Sequence, residues 1–406
     1  MILIQEFGYL HKRRINELKN YQDALQKIAV LGISLMLTSS QAINGVIPQM
    51  REALKISQSQ TELLGTAPSI TVIVFILFSS YIADRFGMKK TTILGLLLAG
   101  FGGIIPVFFS NFYMVLLSRI ILGAGLGLYN SLAVSYISEL YTGNTRASLL
   151  GMRNSMEAIG QTVLIFLAGL LVNISWTASF IVYALAFPIA VLFAIKVPEI
   201  SFKKEDTSVT KEKMNPTVYI LALFAILLVM NSIAISVRFS SIATEIKGTS
   251  FNASNYLALM PILGIAAGFI FGPINRILGN VTMYLGIGFV VISNLFIAMS
   301  NGNMTFLLLG LFLSSIPGSW CFPFIFSNLD RITTRATINF ATSLIFIGCN
   351  VGNFIAPIAM NITQAITNSD ALTAPFYAFA FLFLIILLVA MFSTKKMHAE
   401  KSIVQK

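Results

Sequence analysis

The amino-acid sequence predicts an all-α membrane protein, with twelve transmembrane helices arranged as two six-helix repeats. Three observations predict it: an apolar composition, twelve apolar runs of span length, and short motifs that recur at equivalent loops of the two halves. Of 406 residues, 56% are hydrophobic and only 11% are charged. A water-soluble domain is nearer 25% charged. So few polar groups cannot cover the surface of a soluble fold, whereas lipid can solvate what they leave bare.

A helix needs about 20 mostly apolar residues to cross the hydrocarbon layer. Runs of that length fall at roughly 28–48, 60–82, 91–110, 112–138, 148–173 and 177–195, then at 216–238, 255–275, 281–299, 303–327, 339–364 and 374–393. Barrel strands would be half as long and would alternate in polarity, so the spans are helices. Residues 1–27 are polar and read as an N-terminal tail. The run 28–48 lacks a small-residue cleavage site and reads as a retained span rather than a signal peptide. Residues 28–195 form the first six-helix half, 196–215 a charged linker, 216–393 the second half and 394–406 a C-terminal tail.

Twelve spans put both tails on one side. Of the 27 Lys and Arg residues, 22 fall in the tails and even-numbered loops, and only Arg51, Lys55, Arg238 and Lys247 fall on the other side. Basic loops stay in the cytoplasm, so a multi-pass cell-membrane protein with both termini cytoplasmic is expected. The net charge of +11 is then a topology signal, and no nucleic-acid partner is expected. Cys321 and Cys349 sit inside apolar runs and read as packing residues. No metal or cofactor motif is present.

The halves repeat each other. Ser138-Glu139-Leu140 and Thr145-Arg146-Ala147-Ser148 after span four match Ser327-Asn328-Leu329 and Thr334-Arg335-Ala336-Thr337 after span ten, at a constant offset of 189. The loop after span two, Ser80 to Gly87, shares an eight-residue frame with Gly272 to Gly279 after span eight. Internal repeats of this kind build the two sides of a rocking cavity.

These features resemble the major facilitator superfamily of secondary transporters, in its bacterial type, over residues 28 to 393. The family's loop pattern G-x-L-a-D-R-x-G-R-K is similar to Ser80-Tyr81-Ile82-Ala83-Asp84-Arg85-Phe86-Gly87-Met88-Lys89-Lys90. Glu139 and Arg146 resemble the E-x6-R pattern after span four. The resemblance implies a conformational latch made of Asp84, Arg85, Gly87, Glu139, Arg146 and Arg335. Arg119 lies inside span four, where an unpaired charge is costly. Its R-x3-G spacing resembles a family motif linked to proton transfer.

Glu157 reads as the only carboxylate well inside a span. Arg153, Glu157 and Gln161 share one helix face at i, i+4 and i+8. Burial favours a neutral Glu157 and Arg153 favours an ionised one, a competition that suits a proton carrier. A static Arg153–Glu157 pair is the competing reading. The resemblance implies that Gln41, Asn44, Gln161, Asn231, Arg238, Trp320, Asn350 and Asn353 contribute to a substrate cavity. Span five lacks the Gly-Pro signature common in family members that export drugs.

The expected function is secondary active transport of a small molecule by alternating access, proton-coupled, with export the leading direction. Proton-coupled uptake of a sugar or organic anion, or uncoupled facilitation, is the alternative. A membrane enzyme would need a nucleophile–base or metal constellation at one membrane level, and both histidines, His11 and His398, lie in the tails. A P-loop is absent, which disfavours an ATP-driven pump. The expected partners are a small-molecule substrate, protons and lipid, and the expected state is a monomer.

Overall fold

The computed structural model describes residues 22–200, 214–279, 281–334 and 337–404. The expectations for residues 1–21, for the linker centre 201–213 and for Arg335 lie outside the described residues. Among those described the chain is all-helical, and twelve segments are long and apolar enough to cross a membrane when the two bent pieces of the first are joined. We number them α1 (Gln22–Met36 with Ser39–Leu54), α2 (Gln58–Phe86), α3 (Met88–Phe108), α4 (Phe112–Leu140), α5 (Gly143–Leu171) and α6 (Ala178–Lys196). After residue 214 come α7 (Thr217–Lys247), α8 (Ser254–Leu278), α9 (Val281–Ala298), α10 (Met304–Leu329), α11 (Phe340–Thr367) and α12 (Ala374–Phe392).

Several helices outrun their apolar runs. The 31 residues of α7 span about 46 Å at 1.5 Å per residue, against a hydrocarbon layer of about 30 Å. Their last turns therefore carry polar sequence, as in Thr244-Glu245-Ile246-Lys247. Hydropathy marks where lipid begins, whereas backbone hydrogen bonding carries a helix beyond it. The outward faces are apolar: Leu77, Phe101 and Phe269 are 62%, 60% and 80% exposed.

The helices alternate in direction. Residues 22, 200, 214 and 392 therefore share one end, called here the tail end. Two contacts tie that end together: the Glu199 carboxylate accepts from Lys89 N, and the Lys27 ammonium lies over the Tyr141 ring. The loop between α2 and α3 turns on Gly87 at φ +90°, a conformation open to glycine but strained for other residues. A Cβ there would also sit 2.7 Å from the Glu199 carboxylate.

Within the first half α4 packs on α2 and α3, α3 on α6, and α1 on α5. Within the second, α7 packs on α11, and α9 on α10 and α12. Between the halves α2 lies against α11 and α5 against α8, with α1 meeting α7 and α8. α1 is bent by 40° near residues 36–39, and its middle is wound into tighter turns at Ile33–Met36, Ser39–Gln41 and Asn44–Val46. α10 is interrupted at Ser314–Ser315, just ahead of Pro317.

Candidate functional site

The polar bonds that join residues before 200 to residues after 214 lie at the end opposite the tails, the far end. Asn44 Nδ2 donates to Ser236 Oγ at 3.0 Å, and Ser240 Oγ donates to Asn44 O at 2.5 Å. Gln49 reaches Thr249 O, Gln58 reaches Ser241, and Ser59 reaches Asn361. The strongest link is ionic. Arg238 on α7 donates from Nε to Glu62 Oε1 at 2.7 Å and from Nη2 to Glu62 Oε2 at 3.0 Å. Both side chains are wholly buried. Gln58 Nε2 donates to Glu62 Oε1 as well, and Arg238 Nη1 donates to Gln364 Oε1 on α11. The bidentate geometry and the added hydrogen bonds offset the desolvation of two charges.

Arg238 therefore does not line a cavity; it is spent on this pair. The loop count places it with the charges of the side opposite the tails, and it lies toward that end, buried in the seal. Glu62 is a wholly buried carboxylate, one that sequence reasoning did not single out. It sits in the first turns of α2, beside Gln58 and Gln60, where the sequence has the composition of a polar helix start. Packing of α2 against α7 and α11 buries it.

Below this seal lies a cavity of about 300 Å³. Gln41 of α1 and Gln161 of α5 contribute from the first half. Asn231 and Ser232 of α7, with Met260 of α8 and Phe322 of α10, contribute from the second. Gln161 Nε2 donates to Gln41 Oε1 at 2.7 Å. Three of the eight expected cavity residues, Gln41, Gln161 and Asn231, are on this wall. Asn44 is buried in the far-end seal. Trp320 is only 6% exposed, donates from Nε1 to Ala267 O at 3.0 Å and packs edge-on against Phe289. Asn350 bonds back to Phe346 O within α11, and neither it nor Asn353 is on the wall. Sequence could not tell these residues apart, because polarity inside a span serves cavity, seal and helix packing alike.

On the tail-end side of Gln161, one turn away on α5, Arg153 and Glu157 form an ion pair at 2.8 Å. The Glu157 side chain keeps 26% exposure and that of Arg153 11%. Arg153 also reaches Asn154 and Asn130. Thr38, at the bend of α1, donates to the Glu157 carbonyl at 3.1 Å.

Arg119 is wholly buried and has no carboxylate partner among the described residues. Its Nε donates to Leu64 O at 3.1 Å and its Nη1 to Tyr183 Oη at 2.6 Å, and its Nη2 donates to Ser40 O. One guanidinium thus joins α1, α2, α4 and α6. The tighter turns of α1 place the Ser40 carbonyl for that bond.

At the tail end Asp84, Arg85, Glu139 and Arg146 are exposed. No ion pair joins them to one another among the described residues. The carboxylate at the start of α3 is supplied by Glu199 and not by Asp84.

Comparison with known proteins decides the family. The model of the Major Facilitator Superfamily matches residues 29–357. This chain belongs to the Major Facilitator Superfamily. Its superfamily relatives include the bacillibactin exporter of Bacillus subtilis, 28% identical over 38% of this chain and 40% of that protein. The arabinose-proton symporter of Escherichia coli K12 is 22% identical over 49% of this chain and 42% of its own length. The chain spans about half the length, or less, of the curated relatives it matches. Among solved structures, the nucleoside transporter NupG superposes with a TM-score of 0.72 at 13% identity, covering 90% of this chain and 99% of that one. A bacterial homolog of the human lysosomal transporter Spinster gives 0.70 at 16% identity, covering 90% and 95%. These likenesses establish the superfamily fold, that of a many-span membrane protein in a family of transporters and not of enzymes.

Proposed function

We propose that this protein is a secondary transporter that moves a small solute across the cell membrane by alternating access, with the tail end cytoplasmic. One observation carries the reading. A cavity walled by both halves is sealed at the far end by bonds between the halves, centred on Glu62 and Arg238, while the tail-end charges Asp84, Arg85, Glu139 and Arg146 stand apart. That combination is one of two end states of a rocking molecule. In the other, the far-end bonds part and the tail-end charges close as a latch, with Gly87 as its turn and Arg335 as a further member. The charge asymmetry of the loops supports the cytoplasmic placement of the tails.

Glu157 is the proton carrier in this reading. It is partly exposed, shares a helix face with the cavity residue Gln161, and has an internal counter-charge in Arg153. Protonation would free Arg153 to change partners, which is how a proton can bias one end state over the other. Arg119, bonded to two carbonyls and a phenol, holds the first half rigid around that event. Export is the leading direction.

The test is flux in proteoliposomes with a pH-reporting dye inside. Solute-driven acidification or alkalinisation, with a sign that reverses when the solute gradient reverses, is the expected result. A chain that binds solute but carries none across the bilayer sinks the proposal.

A further inference from the structure

The wall of the cavity carries no ionisable side chain. Its polar groups are primary amides and hydroxyls, set among apolar residues such as Met260 and Phe322. We infer that its solute is uncharged, carries hydrogen-bond donors and acceptors together with an apolar face, and is of the size of a monosaccharide or a nucleoside. The inference rests on reading this cavity as the transport site.

The amides are oriented by their partners. A primary amide offers two N–H donors and one carbonyl. The bond from Gln161 Nε2 to Gln41 Oε1 leaves both Gln41 N–H groups and the Gln161 carbonyl for a ligand. On the opposite wall, Asn294 Nδ2 donates to Asn231 Oδ1 at 2.8 Å and to Val290 O at 2.8 Å. That turns the Asn231 carbonyl toward α9 and its NH₂ away from it. Ser314 and Ser315 donate their hydroxyl protons to Leu311 O and Phe312 O, so toward the cavity they can only accept. The two halves thus present donors at Gln41 and Asn231 and acceptors at Gln161 and the serines. A solute with both kinds of group, such as neighbouring hydroxyls or a nucleobase edge, can bond to both halves at once.

A charged solute would find no free counter-ion. Arg119 is wholly buried and off this wall, bonded to two carbonyls and a phenol, and Arg238 is locked to Glu62. Glu157 is held by Arg153 at 2.8 Å, so a cation would have to displace an intramolecular guanidinium. Burying an unpaired ion costs several kcal/mol even after relaxation. The cavity volume of about 300 Å³ lies at the small end of the range of about 300–1,000 Å³ for small-molecule pockets.

The experiment is binding to the full chain in lipid nanodiscs, using matched solutes that differ in charge. Glucose is compared with gluconate and glucosamine, and uridine with uridine monophosphate. In at least one set the neutral member binds, its charged partners bind at least about tenfold more weakly, and Gln41→Leu and Asn231→Leu each weaken it by about tenfold, the value of one or two hydrogen bonds. Gln41→Glu keeps the size of the side chain and moves preference toward glucosamine, a gain that misfolding cannot mimic. A charged member binding best to the unaltered protein, or no neutral member binding in any set, overturns the inference. Flux of the bound solute separates the two readings. Binding without flux removes the transport reading and leaves this one, whereas flux of an anion does the reverse.

Discussion

Glu62 and Arg238 meet fork to fork, 176 residues apart in sequence, with Nε–Oε1 at 2.7 Å and Nη2–Oε2 at 3.0 Å and with neither side chain exposed. No other ion pair among the described residues joins the two halves of the chain. It is also the one whose loss would leave a fully buried charge. Removing one partner of a buried pair costs about 3–5 kcal/mol, because the survivor keeps its desolvation penalty without its counter-charge.

Glu62→Gln is therefore expected to open the far end. With Cys321 and Cys349 replaced by Ser, a Cys introduced at Ser232 reports access from the far side to a membrane-impermeant maleimide. The substitution should raise the labelling rate at least tenfold, the equilibrium shift that about 1.4 kcal/mol produces at 25 °C. Unchanged labelling in a folded variant would remove Glu62 from the gate.

The far-end seam also depends on close backbone approach. A Cβ on Gly45 of α1 would lie 2.6 Å from Ser254 Cα on α8, and a Cβ on Gly169 of α5 would also crowd the same serine. Gly45→Val should block far-end closure while leaving each half folded. Double electron–electron resonance between labels at Glu52 and Asn368 should then show a longer mean distance than in the unaltered chain.

Tyr183 donates nothing to Arg119; it accepts from it, at 2.6 Å. Tyr183→Phe keeps the ring and removes the acceptor, leaving one arm of a buried guanidinium unsatisfied. A loss of about 1–3 kcal/mol follows, read as a lower melting temperature in detergent with the cavity intact. Arg119→Lys should cost more, because a single ammonium cannot span three carbonyl and phenol acceptors on three helices.

Glu157→Gln removes the titratable group and keeps the shape. Solute binding should survive, and the solute-driven pH change in proteoliposomes should vanish. A retained pH change would make the Arg153–Glu157 pair structural and move proton coupling to another group, with Glu62 the next to test.

The seam at Glu199 offers a smaller effect. Its carboxylate accepts from Lys89 N at the first turn of α3. Glu199→Ala should destabilise by roughly 0.5–2 kcal/mol, the range for losing a helix cap, measurable as a shift in thermal unfolding.

The number of helices, their order and the charge bias of their loops were legible in the sequence, because each is a local quantity. Length and apolar content decide whether a segment can cross a bilayer, and Arg or Lys counts are read loop by loop. Gln41, Gln161 and Asn231 could be proposed as cavity residues because a polar group inside a span is costly wherever it stands and the family resemblance implies that their spans line a cavity. What local reading could not do was rank them. Asn350 has the same standing in sequence as Asn231, and Trp320, beside Pro317, Gly318 and Pro323, a better one, yet of the three only Asn231 is on the cavity wall. Glu62 shows the converse, since a carboxylate among glutamines at a helix start looks solvated until a second helix arrives.

The sequence by itself determined twelve apolar helices in two related halves, the family to which they belong, and the residues too polar to face lipid. Only the tertiary structure decided which of those residues are spent on one another and which are left for a solute. The reason is that hydrophobic burial is summed along the chain and survives many arrangements, whereas a hydrogen bond or ion pair needs two groups within about 3 Å. For Glu62 and Arg238 that distance is set by how helices from opposite halves pack.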